Sequence, residues 1–310
     1  MAPFRDADGR CPQHTFFYPQ EDYDPQILDQ LAEFCRAGFG EVEIHLHHRH
    51  DTPEGFRQKL TVFRDRLHDD HGLLGTDSGG RVRYGFIHGN WALCNSRPDG
   101  DWCGVNEELA ILADTGCYAD FTFPSAPSET QPRMANALYY ARDTPGRSRG
   151  ADRGQIMGLA ADDQRSGKRF SRSSGTGAPL LLITGPLALN WRQRKWGLLP
   201  RVENAEITGI NPPTAHRIRL WARQQIHVAG TPEWVFVKVH THGCVPANRA
   251  ALFGETMREA HAILQNEFNT GEAWQLHYVT SREMYNIAKA AESRARGAPG
   301  HWRDREVRKP

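Results

Sequence analysis

The segment with the clearest chemical potential is a run of histidines in Glu41–Asp51, with the sequence EVEIHLHHRHD. Residues 45 and 47 of an extended strand project from the same face, so the imidazoles of His45 and His47 could converge on one metal ion. Neutral imidazole is a common zinc ligand, and adjacent rings without partners would cost the strand desolvation free energy. The run therefore predicts a divalent metal site, with Asp51 as a further ligand, a base, or the N-cap of the next helix.

A second pair of histidines follows an apolar run near the other end of the chain. His240 and His242 close the sequence VFVKVHTH, and barrel folds place their chemistry at the carboxyl ends of strands. Paired histidines at two such ends could therefore face one pocket. His88, in FIHGN, and His277, in LHY, belong to two further predicted strands, although a histidine hydrogen-bonded in the wall of the fold is the simpler explanation for each.

Aromatic and amide side chains lie near the same predicted strand ends. Asn90, Trp91 and Tyr278 combine hydrogen-bonding groups with flat apolar faces. Sugar rings have apolar C–H faces and polar rims, so this combination suits carbohydrate. We predict His88, Asn90, Trp91 and Tyr278 as substrate contacts.

Short apolar runs alternate with longer helical patterns, which indicates β–α units around a largely parallel sheet. The predicted strands are His14–Pro19, Glu41–His48, Tyr84–Asn90, Tyr118–Ser125, Pro179–Leu187, Trp234–His242 and Trp274–Thr280. The helical spacing of apolar residues predicts helices over Pro25–Ala37, Pro53–His71, Asn106–Thr115, Arg217–Val228, Arg249–Asn269 and Ser281–Glu292. The fold class is therefore α/β.

The composition excludes several classes of protein. Lys and Arg total 38 against 37 Asp and Glu, so no net field favours nucleic acid. No segment approaches about 18 consecutive apolar residues, which argues against a membrane span, and the N-terminus has no secretory pattern. The six cysteines form no Cys-x-x-Cys pair, so we expect reduced thiols and a cytoplasmic location.

The same analysis predicts one domain over residues 1–310, because α/β barrels use this length for a single core. Residues 143–177 are rich in Gly, Arg, Ser and Asp, which predicts a surface insertion. Residues 293–310 are basic and contain Gly and Pro, which predicts a flexible tail. The sequence does not indicate the oligomeric state.

Three segments resemble the NodB-like polysaccharide deacetylases. HTFFYP at 14–19 is similar to the family's Ala-Thr-Phe-Phe strand, and GFGEVEIH at 38–45 is similar to the approach to its metal-binding His-[Ser/Thr]-x-x-His motif. VKVH at 237–240 resembles the later Leu-x-His motif. The resemblance implies a distorted (β/α)7-type barrel, a divalent metal such as zinc, and hydrolysis of an acyl group, N-acetyl above all, on a sugar or polysaccharide.

The resemblance assigns roles to the candidate residues: metal ligands His45, His47 and His48, catalytic base Asp8 or Asp51, and acid His240 or His242. The family's first strand carries two aspartates, whereas only 13 residues precede His14 here. Either Asp6 and Asp8 serve from a loop, or the chain starts downstream of that strand and the barrel is incomplete.

Other functions fit parts of the same pattern. An amidohydrolase-type barrel also uses His-x-His as a metal motif, but it needs a middle-strand ligand such as Lys238 or His88. A glycoside hydrolase would need two carboxylates that span a sugar bond. A catalytically degenerate carbohydrate-binding or scaffold protein would need neither base nor metal.

Overall fold

The predicted alternation of strands and helices is present in the computed structural model, which describes residues 2–102, 104–158, 176–243 and 245–310. The chain divides into two compact units, where the sequence analysis predicted one domain. The sheet unit comprises Gln13–Thr184, His227–Trp234 and Val279–Pro310. The hairpin unit comprises Met1–Pro12, Gly185–Ile226 and Val235–Tyr278.

The sheet unit is built on one seven-stranded sheet. In chain order, its strands and one short additional strand are β1 His14–Pro19, β2 Gly40–Leu46, β3 Thr76–Asp77, β4 Tyr84–His88, β5 Cys117–Asp120, β6 Leu138–Asp143, β7 Gly154–Ile156 and β8 Thr176–Ile183. The order across the sheet is β1-β2-β4-β5-β8-β6-β7, and β3 lies outside it. The first five strands in this order pair in parallel, and β6 and β7 complete the edge in antiparallel pairing.

This topology confirms the predicted α/β class. Among the described residues the strand order runs from β1 at one edge to β7 at the other, and no pairing closes a barrel. The finer (β/α)7 type therefore stays a prediction.

Helices connect and cover the parallel strands. They are α1 Pro25–Arg36, α2 Pro53–Asp69, α3 Glu108–Thr115 and, from the C-terminal part of the chain, Ser281–Glu292. The first two helices begin with proline, and each is preceded by a capping residue. Asp24 accepts hydrogen bonds from the backbone at the start of α1, and Thr52 does so for α2. Their apolar faces pack on the sheet in one core with Leu28, Ile44, Phe56, Phe63, Phe86 and Leu109.

The hairpin unit has a smaller core of its own. Its elements are β9 Ala188–Lys195, β10 Leu199–Glu203, α4 Ala215–Ala222, α5 Arg249–Phe253 and α6 Glu255–Phe268. The core contains Ala205, Ile207, Ile218, Trp221, Ala251 and Ala260. Arg217 is buried against Glu203 in a two-bonded ion pair with nitrogen–oxygen distances of 2.7 Å, which satisfies both charges inside the unit. None of the described helices is long and apolar enough to cross a membrane.

Two predicted strands and one predicted helix differ from the structure. The segments predicted as strands at Trp234–His242 and Trp274–Thr280 have no strand ladder, and the first forms only a bridge between His240 and Glu206 among the described residues. The helix predicted over Arg249–Asn269 is broken at Gly254, whose backbone is extended (φ −94°, ψ −166°) and separates α5 from α6.

The predicted insertion at 143–177 is partly built into the sheet. Asp143 ends β6, and β7 pairs with β6 in antiparallel register. Gly150 and Ala151, which lie between β6 and β7 along the chain, are buried. Residues 159–175 of the predicted insertion lie outside the described residues.

The C-terminal segment, predicted as a flexible tail, is anchored to the sheet unit. Its strand β11, Val307–Arg308, pairs antiparallel with β3. The helix Ser281–Glu292, which we label α7, holds the segment through Asn286, whose amide nitrogen donates to the carbonyls of Arg303 (2.6 Å) and Val307 (2.7 Å). The amide oxygen of Asn286 accepts the backbone N–H groups of Glu306 and Val307, both at 2.9 Å. These four hydrogen bonds and the pairing of β11 with β3 tie residues 303–308 to the sheet unit.

We predict that Asn286→Ala lowers the free energy of unfolding by about 3 kcal/mol, because four backbone groups lose their buried partner. Urea denaturation of the purified protein measures this change. Ser293→Ala, at the exposed residue that follows the same helix, is the control; it removes one hydrogen bond, to the carbonyl of Ala290, and should change stability by less than about 1 kcal/mol. Equal stability of the two variants would contradict the anchoring role of Asn286.

Candidate metal centre

Two histidines meet at the carboxyl edge of the parallel sheet. His88 is the last residue of β4, and the register pairs it with Leu46, the last residue of β2. His48 lies two residues after Leu46 and is buried. Since the carboxyl ends of parallel strands lie at one edge of a sheet, strand pairing brings both positions to the same edge. Open α/β sheets generally bind ligands at this edge.

A carboxylate completes the group. Glu108, the first residue of α3, lies with Oε1 at 3.1 Å from His48 Nε2 and 3.3 Å from His88 Nε2. The two Nε2 atoms are 2.8 Å apart. All three side chains are fully buried, with 0% of their surface exposed. His48, His88 and Glu108 form a group that could hold a metal ion.

The outer nitrogen of each ring is already engaged by an acceptor. His48 Nδ1 lies 2.9 Å from the Asp51 carboxylate, and His88 Nδ1 lies 2.6 Å from the carbonyl oxygen of Gly89. Neither partner can donate, so both Nδ1 atoms carry the proton of these bonds. The Nε2 atoms of the neutral rings then present lone pairs to each other and to a carboxylate, an arrangement that requires a proton or a metal cation between them.

The charges around the rings favour such a cation. Burial by itself lowers the pKa of His88, but the charge and hydrogen bond of Glu108 outweigh it and raise that pKa above its usual value. Burial opposes ionisation of Glu108, yet His88 and His48 lower its pKa to about 2. The carboxylate is therefore ionised at neutral pH and supplies a fixed negative charge.

The spacing fits a small tetrahedral ion. Zinc binds nitrogen at about 2.0–2.1 Å, so neighbouring ligand atoms of a tetrahedral zinc are about 3.3 Å apart. The three atoms of the group therefore need to separate by at most about half an ångström to take a zinc ion. The hydrogen bond from His48 to Asp51 is the type of carboxylate–histidine contact that orients imidazole ligands.

His45 and His47 lie outside this group. Their rings contact each other edge to face, with centroids 4.5 Å apart. His45 Nδ1 bonds to the carbonyl of Ile87 at 2.8 Å, and His47 Nδ1 bonds to the Glu21 carboxylate. Burial lowers the pKa of His45 to about 4, so this ring is neutral at pH 7. Of the three histidines assigned as ligands from the sequence, the structure brings only His48 to the buried group.

Asp51 contacts the group from outside. Burial opposes its ionisation, but a hydrogen bond from Lys59 at 2.8 Å and the His48 contact lower its pKa. Thr52, rather than Asp51, caps α2 through its side chain. Asp51 thus holds the orientation of His48.

The residues that follow His88 have an unusual backbone. Asn90 (φ 52°) and Trp91 (φ 53°) are consecutive left-handed residues without the conformational freedom of glycine. Asn90 is exposed and Trp91 is partly buried. His88, predicted as a substrate contact, belongs to the candidate ligands, whereas Asn90 and Trp91 lie beside it in sequence.

The other predicted site residues belong to the hairpin unit. Asp8 accepts from His277 Nδ1 at 2.8 Å, and Tyr278 bonds to His261. His242 is exposed, with its Nε2 atom 3.7 Å from Glu206. Both ring nitrogens of His240 are buried without a hydrogen-bond partner in the part of the chain that the structure describes.

A second group that could hold a metal consists of Asp6, Asp8 and His277 in the hairpin unit. The Asp6 carboxylate already accepts backbone N–H groups from Asp8, Arg10 and Tyr278 at 2.8–2.9 Å. The bonds from Asp8 and Arg10 are those of a turn that the Asp6 side chain stabilises. The group is therefore weaker as a candidate centre than the buried one.

Glu108 was missed by the sequence analysis. It lies at the start of the apolar sequence ELAILADT, where an acidic residue is explained by the dipole of the helix N-terminus. The available signal was its helical face, because the residues three and four positions later, Ile111 and Leu112, are both apolar. A carboxylate among buried neighbours requires a charged partner.

Comparison with protein-family models, with curated proteins and with solved structures found no match for this chain. The fold and the geometry define an α/β protein with a candidate His–His–Glu metal centre.

We predict that His48→Ala combined with His88→Ala abolishes stoichiometric zinc binding, because two of three ligands are removed. Metal analysis after dialysis against zinc measures the loss, and circular dichroism checks the fold. His45→Ala combined with His47→Ala is the matched control from the same histidine run and should bind zinc like the parent. Loss of zinc in the control alone would assign the site to His45 and His47.

We also predict that Asp51→Asn weakens zinc affinity about 10- to 100-fold, because His48 loses the charged acceptor that orients its ring. Competition with a chelator of known affinity measures the change. Asp69→Asn is the control, since Asp69 accepts from His68 in an exposed His–Asp pair at the end of α2. Unchanged affinity in Asp51→Asn would remove Asp51 from the centre.

Proposed function

We propose that this protein is a metal-dependent hydrolase whose divalent cation, zinc, is held by His48, His88 and Glu108. One observation carries the proposal: two imidazole Nε2 atoms and one carboxylate oxygen converge within 2.8–3.3 Å at the carboxyl edge of a parallel sheet. Buried basic nitrogens and a buried carboxylate are stable together when a cation lies between them.

The number of ligands supports a catalytic centre. Structural zinc sites use four protein ligands, whereas catalytic sites use three and leave the fourth position open. When bound, a divalent cation supplies Lewis acidity for polarising a carbonyl and makes water a better nucleophile at neutral pH. This chemistry suits hydrolysis of an ester or amide.

The protein supplies orientation and a proton acceptor. Asp51 and the carbonyl of Gly89 fix the two rings, so Nε2 of each ring points to the centre. We assign Asp120 as the carboxylate that accepts the proton, because it is buried at the end of β5 and shares Thr122 with His88, whose backbone N–H donates to the Thr122 hydroxyl at 2.9 Å. Thr122 fixes Asp120 through hydrogen bonds of 3.0 Å from its N–H and 2.7 Å from its hydroxyl.

The resemblance to polysaccharide deacetylases extends the proposal to the substrate. We propose an acyl group on a sugar, N-acetyl above all, as the group that is removed. Asn90 and Trp91 come two and three residues after the candidate ligand His88 and offer an amide and an aromatic face to a sugar ring. Their left-handed backbone is a conformation that proteins retain at functional sites.

Complete burial of the ligands favours a second candidate function. A centre with 0% exposed ligands could serve as a structural metal site in a binding or scaffold protein. In that case zinc would raise thermal stability but would support no turnover.

We expect the zinc-loaded protein to release acetate from an N-acetylated chitooligosaccharide or from p-nitrophenyl acetate, and the metal-free protein to release none above the buffer rate. Asp120→Asn should keep its zinc and lose at least about 100-fold in turnover, because only the proton acceptor is removed. Acetate release and bound zinc are measured on the same samples.

His45→Ala combined with His47→Ala is again the control and should keep both zinc and activity. Zinc binding with higher thermal stability but no acetate release from either substrate would favour the structural centre. Equal turnover in Asp120→Asn would remove its assigned role.

A further inference from the structure

The ribbon formed by β9 and β10 exposes a group of large apolar side chains. Trp191, Trp196 and Leu198 are 58%, 85% and 77% exposed, and Leu189 and Leu199 are more than half exposed. Folded proteins rarely place so much apolar surface in water on one short segment, and such patches mark interaction sites. We call these five residues the hairpin patch.

The ribbon that carries the hairpin patch is also rich in positive charge. Arg192, Arg194, Lys195 and Arg201 lie in the same ribbon, and residues 188–202 contain no Asp or Glu. Among the described residues, none of these four cations forms an ion pair. The first acidic residue that follows, Glu203, is buried against Arg217. The ribbon therefore presents uncompensated positive charge beside tryptophan and leucine.

The turn at the end of the ribbon is poorly suited to its sequence. Trp196 (φ 51°) and Gly197 (φ 71°) are consecutive left-handed residues, and the N–H of Leu198 donates to the carbonyl of Lys195 at 3.1 Å. This pattern matches a type I′ hairpin turn, whose first central position favours Asn, Asp or Gly. A bulky tryptophan at positive φ is strained. Folding does not explain Trp196, which is also the most exposed tryptophan.

We infer that the hairpin patch binds the surface of an anionic lipid bilayer. Tryptophan is favoured at the membrane interface, leucine is favoured at the boundary with the acyl chains, and Lys and Arg are attracted to anionic headgroups. Stacking on a neutral polysaccharide would use the tryptophans but gives no role to the cations and leucines. The inference does not depend on the metal centre, because every residue involved lies in the hairpin unit.

The test is co-sedimentation of the full chain with vesicles. We expect the protein to sediment with vesicles of phosphatidylcholine and phosphatidylglycerol at low salt, and binding to pure phosphatidylcholine vesicles to be about tenfold weaker. Trp196→Asn should reduce binding about fivefold while the melting temperature stays equal or rises, because asparagine suits the turn. Arg192→Glu combined with Lys195→Glu should reduce binding to the anionic vesicles at least about tenfold.

Phe253→Ala is the control, since Phe253 is 73% exposed in the same unit but lies outside the ribbon. It should bind vesicles like the parent. Equal binding by the parent and both hairpin variants would overturn the inference. The inference would also be overturned if the parent stays in the supernatant and either self-associates through Trp196 or is retained on a neutral polysaccharide.

Discussion

Two basic ring nitrogens that face each other beside a carboxylate inside a protein need a proton or a metal cation between them, and three elements of the sheet unit meet at this point. The parallel register of β2 and β4 sets Leu46 against His88 and brings His48 to the same edge. Helix α3 begins at that edge and directs Glu108 to both rings. Without the other two, each of these buried polar side chains would lack a hydrogen-bond or charge partner, so strand pairing and charge balance are linked.

Much of the fold was predictable because its parallel strands are apolar and are separated by helices with clear caps. His14–Pro19 matches its predicted bounds, and Ser281–Glu292 begins with a capping box at Thr280 and Glu283. The strands β6 (LYYARD) and β7 (GQI) were missed because neither has a long apolar run or a regular polar–apolar alternation, and both pair antiparallel, outside the parallel pattern. Trp234–His242 was predicted as a strand from its apolar run, but among the described residues it forms only the single bridge from His240 to Glu206. Whether a partner strand lies alongside is decided by tertiary structure and not by the segment itself.

The histidine run indicated metal chemistry, but it could not show which ring belongs to the buried group. The ring of His45, in β2, contacts the ring of His47, one residue past the end of β2, and the two find acceptors in Ile87 and Glu21. His48 lies just past the strand end, where the period of two no longer applies and the chain path decides the direction of the ring. Glu108 is 60 positions away from His48 in the sequence, and only the tertiary fold brings the two together.

The division of the chain has a consequence for how the protein is made. The sheet unit is encoded in three separate stretches, and its last contribution is the strand β11, which α7 holds through Asn286. A ribosome adds about 5–20 residues per second, so residues 13–184 wait many seconds before residues 303–308 are available to them. During that interval β3 has no partner strand. The unpaired β3, which lies outside the seven-stranded sheet, then exposes its backbone to other chains, and a chaperone that covers it would raise the yield of native protein.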